Sequence, residues 1–481
     1  MVASEAAPFA KTGGLADVLG ALPAALAERG EQVAVVIPAY RENYYPGATR
    51  EAYRNLFIPI GPGYRVNIRE STDQATHPGV THYFVECPAL YDRDGFYGGP
   101  AGDFPDNHLR FAVLSMAALG VVRYLFRADV LHLHDWQAAL AAVYLREHFQ
   151  GDPTFLGVKT LFTIHNLGYQ GIFGAEVVPQ IALDSRWMNP EQLEFFGNVN
   201  FLKAGIAWSD AVSTVSKGYA REIQTPEYGF GLDGFLRNHG PITGIVNGVD
   251  YSQWSPEHDP HIAQNYSAAD LSGKRACKRA IQDEYGLATD NLDRPLLAII
   301  SRFASQKGFD IFAEAASRLL AEDLSLVVLG SGDPAQESMF RALAQAYPDR
   351  VGVQIGYDTG LSHRIEAGAD MFLMPSRYEP CGLNQIYSLR YGTVPVVRAT
   401  GGLDDTIEED TGFKFHDYSG DALLDAVRQA LAAYGNRDRW TRRMGRCMEK
   451  NFSWDASAGE YVDLYRRLAA GGLAAGRMPV G

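Results

Sequence analysis

Cysteine is scarce in this chain, with four residues among 481, and Cys87, Cys277, Cys381 and Cys447 are too scattered to form a zinc pair or a disulfide framework. That usage fits a reducing compartment. Long apolar runs are also missing. The longest, 111–122, is bracketed by Arg110 and Arg123 and falls short of the roughly 20 residues a membrane helix needs. The first residues show no basic segment followed by an apolar core, so no secretory signal is expected and the protein reads as cytoplasmic. Blocks of one positive sign are absent as well. With 43 basic against 57 acidic residues and a net charge of -14, nothing tracks a nucleic-acid backbone, and nucleic acid and membrane are not expected partners.

Several catalytic signatures are lacking too. There is no Gly-x-Ser-x-Gly turn, no His-x-x-x-His helix and no Gly-Lys-Ser/Thr order of a P-loop. The chain instead offers a repeated alternation of short apolar strand, polar turn and helix over a length that implies two or three domains. Such units build parallel sheets covered by helices, and ligands on those sheets sit beyond the carboxyl ends of the strands.

The strand ends therefore decide the reading. A strand over 371–374 is followed by Pro375 and Pro380, which force an extended turn carrying Glu379. The next strand, 394–397, runs into Thr400-Gly401-Gly402, whose free backbone N–H groups suit an anion at a helix start. A strand over 296–300 leads into a loop, 301–308, bearing Arg302 and Lys307; a planar fork and a point charge five residues apart suit a diphosphate. A further strand and turn are predicted over 324–329 and Gly330-Ser331-Gly332-Asp333, and a strand over 351–355 precedes Tyr357, whose ring can stack on a base.

In the first half, residues 2–5 read as the end of a strand. They are followed by a loop, 11–17, with Lys11 beside Gly13-Gly14, and a helix over 18–28. Strands are expected over 32–38, 129–133, 159–164 and 210–215, and an extended insertion of alternating pattern over 53–85. His134, Asp135, His165 and Asn166 all fall beyond the carboxyl ends of strands. A His-Asp pair suits a metal or a nucleophile-activating dyad, and Asp135 serves equally as an N-cap for the helix after it. Phe96, Tyr97 and Phe104, in the Gly-rich stretch 92–107, suit either sugar stacking or loop packing. Asn247-Gly248 reads as a turn between two sheets.

The segments Lys11-Thr12-Gly13-Gly14-Leu15-Ala16-Asp17, His134-Asp135-Trp136, His165-Asn166-Leu167-Gly168-Tyr169-Gln170-Gly171, Ser301-Arg302, Gln306-Lys307-Gly308 and Glu379-Pro380-Cys381-Gly382-Leu383 occur in that order. In this the chain resembles, over nearly its whole length, the bacterial glycogen synthases and plant starch synthases. The resemblance implies an α/β fold of two Rossmann-like doubly wound domains facing across a cleft (GT-B). Its domains would be 1–244 and 245–453, with a terminal helix in 454–481 packing back on the first. The implied activity is transfer of glucose from ADP-glucose to the non-reducing end of an α-1,4-glucan with retained configuration, without metal or other cofactor.

The resemblance also implies roles. Arg302 and Lys307 would hold the distal phosphate, Glu379 would bind glucose hydroxyls and His165 would lie near the anomeric carbon. Lys11, Gly13 and Gly14 would contact the nucleotide sugar, Tyr357 the adenine, and Thr400, Gly401 and Gly402 phosphate or sugar. Asp135 and Asn247 would help form the sugar and acceptor pocket, and Asp17, Asn166, Cys381, Gly382 and Leu383 complete the substrate-contacting set. The competing readings are another two-domain transferase using UDP-glucose, and a glucan-binding scaffold without turnover. A phosphorylase would need a pyridoxal-phosphate lysine and a much longer chain.

Overall fold

The computed structural model describes residues 1–41, 48–72, 79–99 and 102–471. It divides into two units: Met1–Val215 with Ala220–Gly248 and Trp454–Gly481, and Ser216–Tyr219 with Val249–Ser453.

The second unit is the simpler. Six strands, Leu296–Phe303, Ser325–Gly332, Val351–Ile355, Met371–Met374, Val394–Arg398 and Phe413–Phe415, form one wholly parallel sheet. Numbered along the chain, they lie in the order 3-2-1-4-5-6, the doubly wound arrangement whose ligand crevice opens between strands 1 and 4. The strands are near-continuous apolar runs because helices cover both faces. Leu297, Ile299, Val327, Phe372, Val396 and Phe312 are among the side chains of its core, each no more than 1% exposed.

The first unit repeats this order with additions. Val2 forms parallel bridges to both Leu133 and Val36, so a single residue occupies the place of strand 1. Its N–H donates to His132 O at 2.9 Å and its carbonyl accepts from His134 N–H at 3.1 Å. On one side follow Val33–Pro38 and Val80–Glu86; on the other, Val130–His134, Lys159–Ile164, Ala211–Thr214 and Ile242–Gly244, all parallel. The first switch point lies between Val2 and Val130–His134.

Residues 53–85 form strands, as expected, but only the first two are additions to the parallel order. Thr49–Ile58 and Tyr64–Ser71 extend the sheet as antiparallel edge strands, and Val80–Glu86 belongs to its parallel core; positions 73–78 of that stretch lie outside the described residues. Trp454–Ala469 packs on the helix Gly14–Glu28, burying Trp454, Tyr461, Leu464 and Leu468 with Val18, Leu19 and Leu22.

Four local expectations need correcting. The first helix starts at Gly14, not Val18, because Ala16 is buried on the same face as Leu19 and Pro23. The Gly330-Ser331-Gly332 segment is strand, not turn. It pairs with Ser301, Arg302 and Phe303, and a Cβ on Gly330 or Gly332 would lie 2.0 Å from Ser301 O or 2.3 Å from Phe303 O, so the glycines permit the close pairing. Arg302 consequently is the next-to-last residue of a strand rather than sitting in a loop. Asn247-Gly248 is not a tight turn. The backbone runs on without turning back there, and Gly248 admits Trp454, whose Cα would be 2.5 Å from an added Cβ.

Candidate active site

In the second unit the expected residues gather around the crevice between strands Leu296–Phe303 and Met371–Met374. Arg302 lies one residue before the end of the first of these, and its exposed guanidinium has no hydrogen-bond or ion-pair partner among the described residues. Past it, Ser305–Lys307 forms one 3-10 turn that closes on Gly308 at φ 74°, a left-handed conformation. A Cβ there would lie 1.9 Å from Pro375 O, so glycine is required both for conformation and for clearance. This contact ties the two loops together. Gln306 Nε2 donates to Tyr378 O at 3.2 Å and Arg377 N–H donates to Gln306 O at 2.8 Å.

The consequence is an ion pair. Lys307 Nζ donates to Glu379 Oε2 at 2.6 Å, with side chains only 18% and 7% exposed, and Ser376 Oγ donates to the same oxygen at 3.0 Å. Ser376 was not singled out from the sequence, since a serine in a proline-rich turn carries no signal of its own.

The turn after Glu379 is fixed from beneath. Gly382 adopts φ 73°, and Gln385 Nε2 donates to Cys381 O at 2.9 Å and Gly382 O at 3.1 Å. Leu383 precedes the helix Asn384–Arg390, and Cys381 is buried. Thr400 starts the helix Gly401–Thr406. The N–H groups of this turn are not all available to an anion: Gly402 N–H donates to Glu379 O at 3.0 Å. An added Cβ on Gly402 would lie 2.1 Å from Cys381 O, so this glycine seats one turn on the other. Ser216 Oγ donates to Pro380 O at 2.6 Å and Gly218 N–H donates to Asp405 Oδ2 at 2.6 Å, which buttresses both turns. Tyr357, 75% exposed after Gly356 at φ 135°, stands apart from these bonds.

In the first unit the residues again flank the switch point. Thr12 Oγ1 donates to Oε1 of the buried Glu5 carboxylate at 2.6 Å, the Tyr97 hydroxyl donates to the same oxygen, and Thr12 N–H donates to Oε2 at 2.5 Å. Tyr97 is thereby a structural anchor of the Lys11 loop. Phe96 is buried and Phe104 lies under Arg110, so the packing reading of these rings holds; residues 100 and 101 of the same loop lie outside the described residues. Lys11 Nζ donates to Asp17 Oδ1 at 2.5 Å. Gly13 is extended at φ -162°, and a Cβ on Gly13 or Gly14 would meet no atom within 4 Å. Among the described residues, nothing within 4 Å requires glycine at either place.

Across the switch point, Asp135 is not an N-cap. It adopts φ 56° as the first residue of the short helix Asp135–Ala138, and its Oδ1 accepts the His165 N–H at 2.7 Å. Burial pushes its carboxyl up to about 7, against the pull of that bond and one from the Asn166 backbone. His134 Nδ1 and His165 Nε2 share a hydrogen bond at 2.9 Å. Burial brings the His165 imidazole down to about 3 and His134 well below its ordinary value, so both rings are neutral at pH 7. Asn166 Oδ1 accepts from Gly168 N–H at 2.9 Å, and Asn247 is buried at the end of the unit.

Two sheets with parallel cores of Rossmann order, each with polar groups at its switch point, are those of a two-domain glycosyltransferase of the GT-B class. Residues 1–238 match the starch synthase catalytic domain and residues 288–444 the glycosyl transferases group 1 domain. Glycogen synthases of Koribacter versatilis and Anaeromyxobacter sp. (strain Fw109-5) are 50% and 49% identical over 473 and 478 residues, spanning 97% and 98% of this chain and 97% and 99% of theirs. The catalytic domain of starch synthase IV from Arabidopsis thaliana, solved bound to ADP and acarbose, is 32% identical with a TM-score of 0.87, each chain covered to 98%. The chain belongs to the glycogen and starch synthase family, and is a glucosyltransferase of glycogen and starch synthesis.

Proposed function

We propose that the donor is ADP-glucose and that the chain, in the cytoplasm, adds its glucose to the non-reducing end of an α-1,4-glucan with retention of configuration. The observation that carries this reading is the trio at the second switch point: unpartnered Arg302, and Lys307 paired at 2.6 Å with Glu379. A diphosphate-linked sugar presents an anion and a set of hydroxyls, and the trio offers cations for the first and a carboxylate for the second. Tyr357 gives an exposed ring for the base, and Thr400 and Gly401 lie at the adjoining turn for phosphate or sugar. The ADP held by the Arabidopsis relative supports the adenine donor.

As the glucosyl–oxygen bond breaks, negative charge collects on the departing diphosphate. Fixed cations that meet that charge stabilise the transition state and take the place of a metal. A front-face displacement follows: the acceptor 4-hydroxyl attacks from the side of the leaving group and gives its proton to the leaving phosphate oxygen. Double displacement needs a carboxylate against the opposite face of the anomeric carbon, whereas Glu379 already accepts from Lys307 and Ser376 and serves better as a hydroxyl acceptor. In the first unit, Lys11 with the open Gly13-Gly14 approach contacts the nucleotide sugar, and neutral His165 contacts the glucose. Asp17, Asp135, Asn166 and Asn247 order that pocket, as Cys381, Gly382 and Leu383 do for Glu379.

Incubation with glycogen and equal ADP-glucose and UDP-glucose, in the presence of EDTA, tests the reading. ADP release with lengthening of α-1,4 chains is expected. Preferential UDP release would assign the other donor, and glycogen binding without release of either nucleotide would make the chain a scaffold.

A further inference from the structure

His134 lies outside the groups assigned above to donor or acceptor, yet it is wholly buried and aimed at one of them. It ends the strand Val130–His134 opposite Thr163, and His165, two residues past Thr163 and just beyond the neighbouring strand Lys159–Ile164, is its diagonal neighbour. The His134 ring cannot swing away. Its face lies against His132, with centroids 4.0 Å apart. His132 is itself pinned through both nitrogens, Nδ1 to the Tyr465 hydroxyl at 2.7 Å and Nε2 to Thr163 Oγ1 at 2.6 Å. Thr163 Oγ1 is in turn 2.7 Å from Ser213 Oγ. The remaining nitrogen of His134, Nε2, is buried without a hydrogen-bond partner among the described residues.

This asymmetry selects a tautomer. Two neutral imidazoles that share one hydrogen bond have two arrangements. If His165 Nε2–H donated to His134 Nδ1, the proton of His134 would sit on Nε2, a buried N–H with no acceptor. If His134 Nδ1–H donates to His165 Nε2, the group left over is a bare lone pair. Buried orphan donors are the rarer and costlier outcome.

We propose that His134 is a positioning residue that donates from Nδ1 to His165 Nε2, so that His165 presents Nδ1–H, and only that atom, as a hydrogen-bond donor to the transferred sugar. The burial that keeps both rings neutral makes the arrangement persist at physiological pH. The inference rests on the reading of His165 as a sugar contact, and it assigns the atom that makes the contact. A donor fixed in advance costs no reorientation when the sugar arrives. A freely rotating imidazole would offer donor or lone pair from either nitrogen.

The test is long-range 1H–15N correlation spectroscopy of the full chain labelled at histidine, with His165 assigned by substitution. In the wild type the His165 resonances should be those of the Nδ1–H tautomer. Replacement His134→Leu removes the donor and should return His165 to the Nε2–H form usual for free imidazole, lowering kcat by up to roughly 100-fold, the scale of a misplaced reacting contact. The donor KM should move less than kcat. His134→Asn, whose carboxamide nitrogen can lie where Nδ1 lies, should restore the Nδ1–H form and most of kcat. An Nε2–H tautomer in the wild type overturns the proposal, and this arm does not depend on any variant folding. Unchanged His165 resonances and turnover in His134→Leu overturn it as well. Unchanged turnover in His165→Ala would instead remove His165 from the reaction, a failure of the functional reading that the tautomer measurement keeps separate.

Discussion

Lys307 Nζ lies 2.6 Å from Glu379 Oε2, and the two residues come from loops following strands 1 and 4 of the second sheet, the pair that flanks its crevice. Neither charge is well solvated, so each neutralises a partner that would otherwise be stranded. Lys307→Met should destabilise the second unit by about 3 kcal/mol, the cost of leaving a buried charge unpaired, and Glu379→Gln should do so by less, since its amide oxygen still accepts. The double variant should recover most of the loss in a denaturant titration while remaining inactive. Additive losses would mean that the two side chains act independently.

The glycines of the two site turns should behave oppositely. Gly402→Ala forces a Cβ to 2.1 Å from Cys381 O and should lower stability by about 1–3 kcal/mol, as overpacking does. Gly13→Ala meets open space in an extended conformation, so its melting temperature should equal the wild type while its KM for the nucleotide sugar rises. A Gly13→Ala enzyme with unaltered KM would take that turn out of the donor site.

Asp135 holds a left-handed backbone and accepts the His165 N–H. Asparagine tolerates that conformation and retains an acceptor oxygen, whereas alanine does neither. Asp135→Asn should therefore remain within about 0.5 kcal/mol of the wild type and Asp135→Ala should lose about 2 kcal/mol, summing the conformational cost and one hydrogen bond. Equal stability of the two variants, read by urea unfolding, would contradict this.

The buried imidazoles set an acid limit. His132 and His134 are held well below their ordinary values by burial and His165 is brought down to about 3. A depressed folded value means that the native state binds fewer protons than the unfolded chain, so stability is present above about pH 6.5 and declines as the pH falls towards the folded values. Each such group adds a slope of about 1.4 kcal/mol per pH unit below that point. Asp135, raised to about 7, contributes in the opposite sense, favouring the fold at low pH and losing that contribution as the pH rises through 7. His132→Asn should flatten the acid slope of the unfolding free energy between pH 6 and 5 by about one such increment; an unchanged slope would mean that His132 is protonated in the native state.

The sheets and the strand-end placement of the site were legible in the sequence because apolar runs and Pro/Gly punctuation are local signals. The strands over 159–164 and 351–355 occur with those bounds. What the residue string hid was pairing at a distance. Gly330-Ser331-Gly332 carries the composition of a turn and becomes strand only because Ser301–Phe303 lies alongside it. Asp135 has the form of an N-cap but accepts a bond from a residue thirty positions on. Val2 alone stands for a strand because both neighbouring strands bridge to it. Likewise Ser376 and Ser216 act through partners that no local pattern announces.

The account depends most on Arg302 and Lys307 meeting the charge that develops on the departing diphosphate. Single-turnover rates with ADP-glucose and a maltooligosaccharide acceptor, compared between wild type and Arg302→Ala at saturating donor, test this most directly. A fall of roughly 100- to 1000-fold, the scale of a lost oxyanion donor, with ADP affinity reduced far less, is the predicted result. Wild-type rates in Arg302→Ala would contradict it.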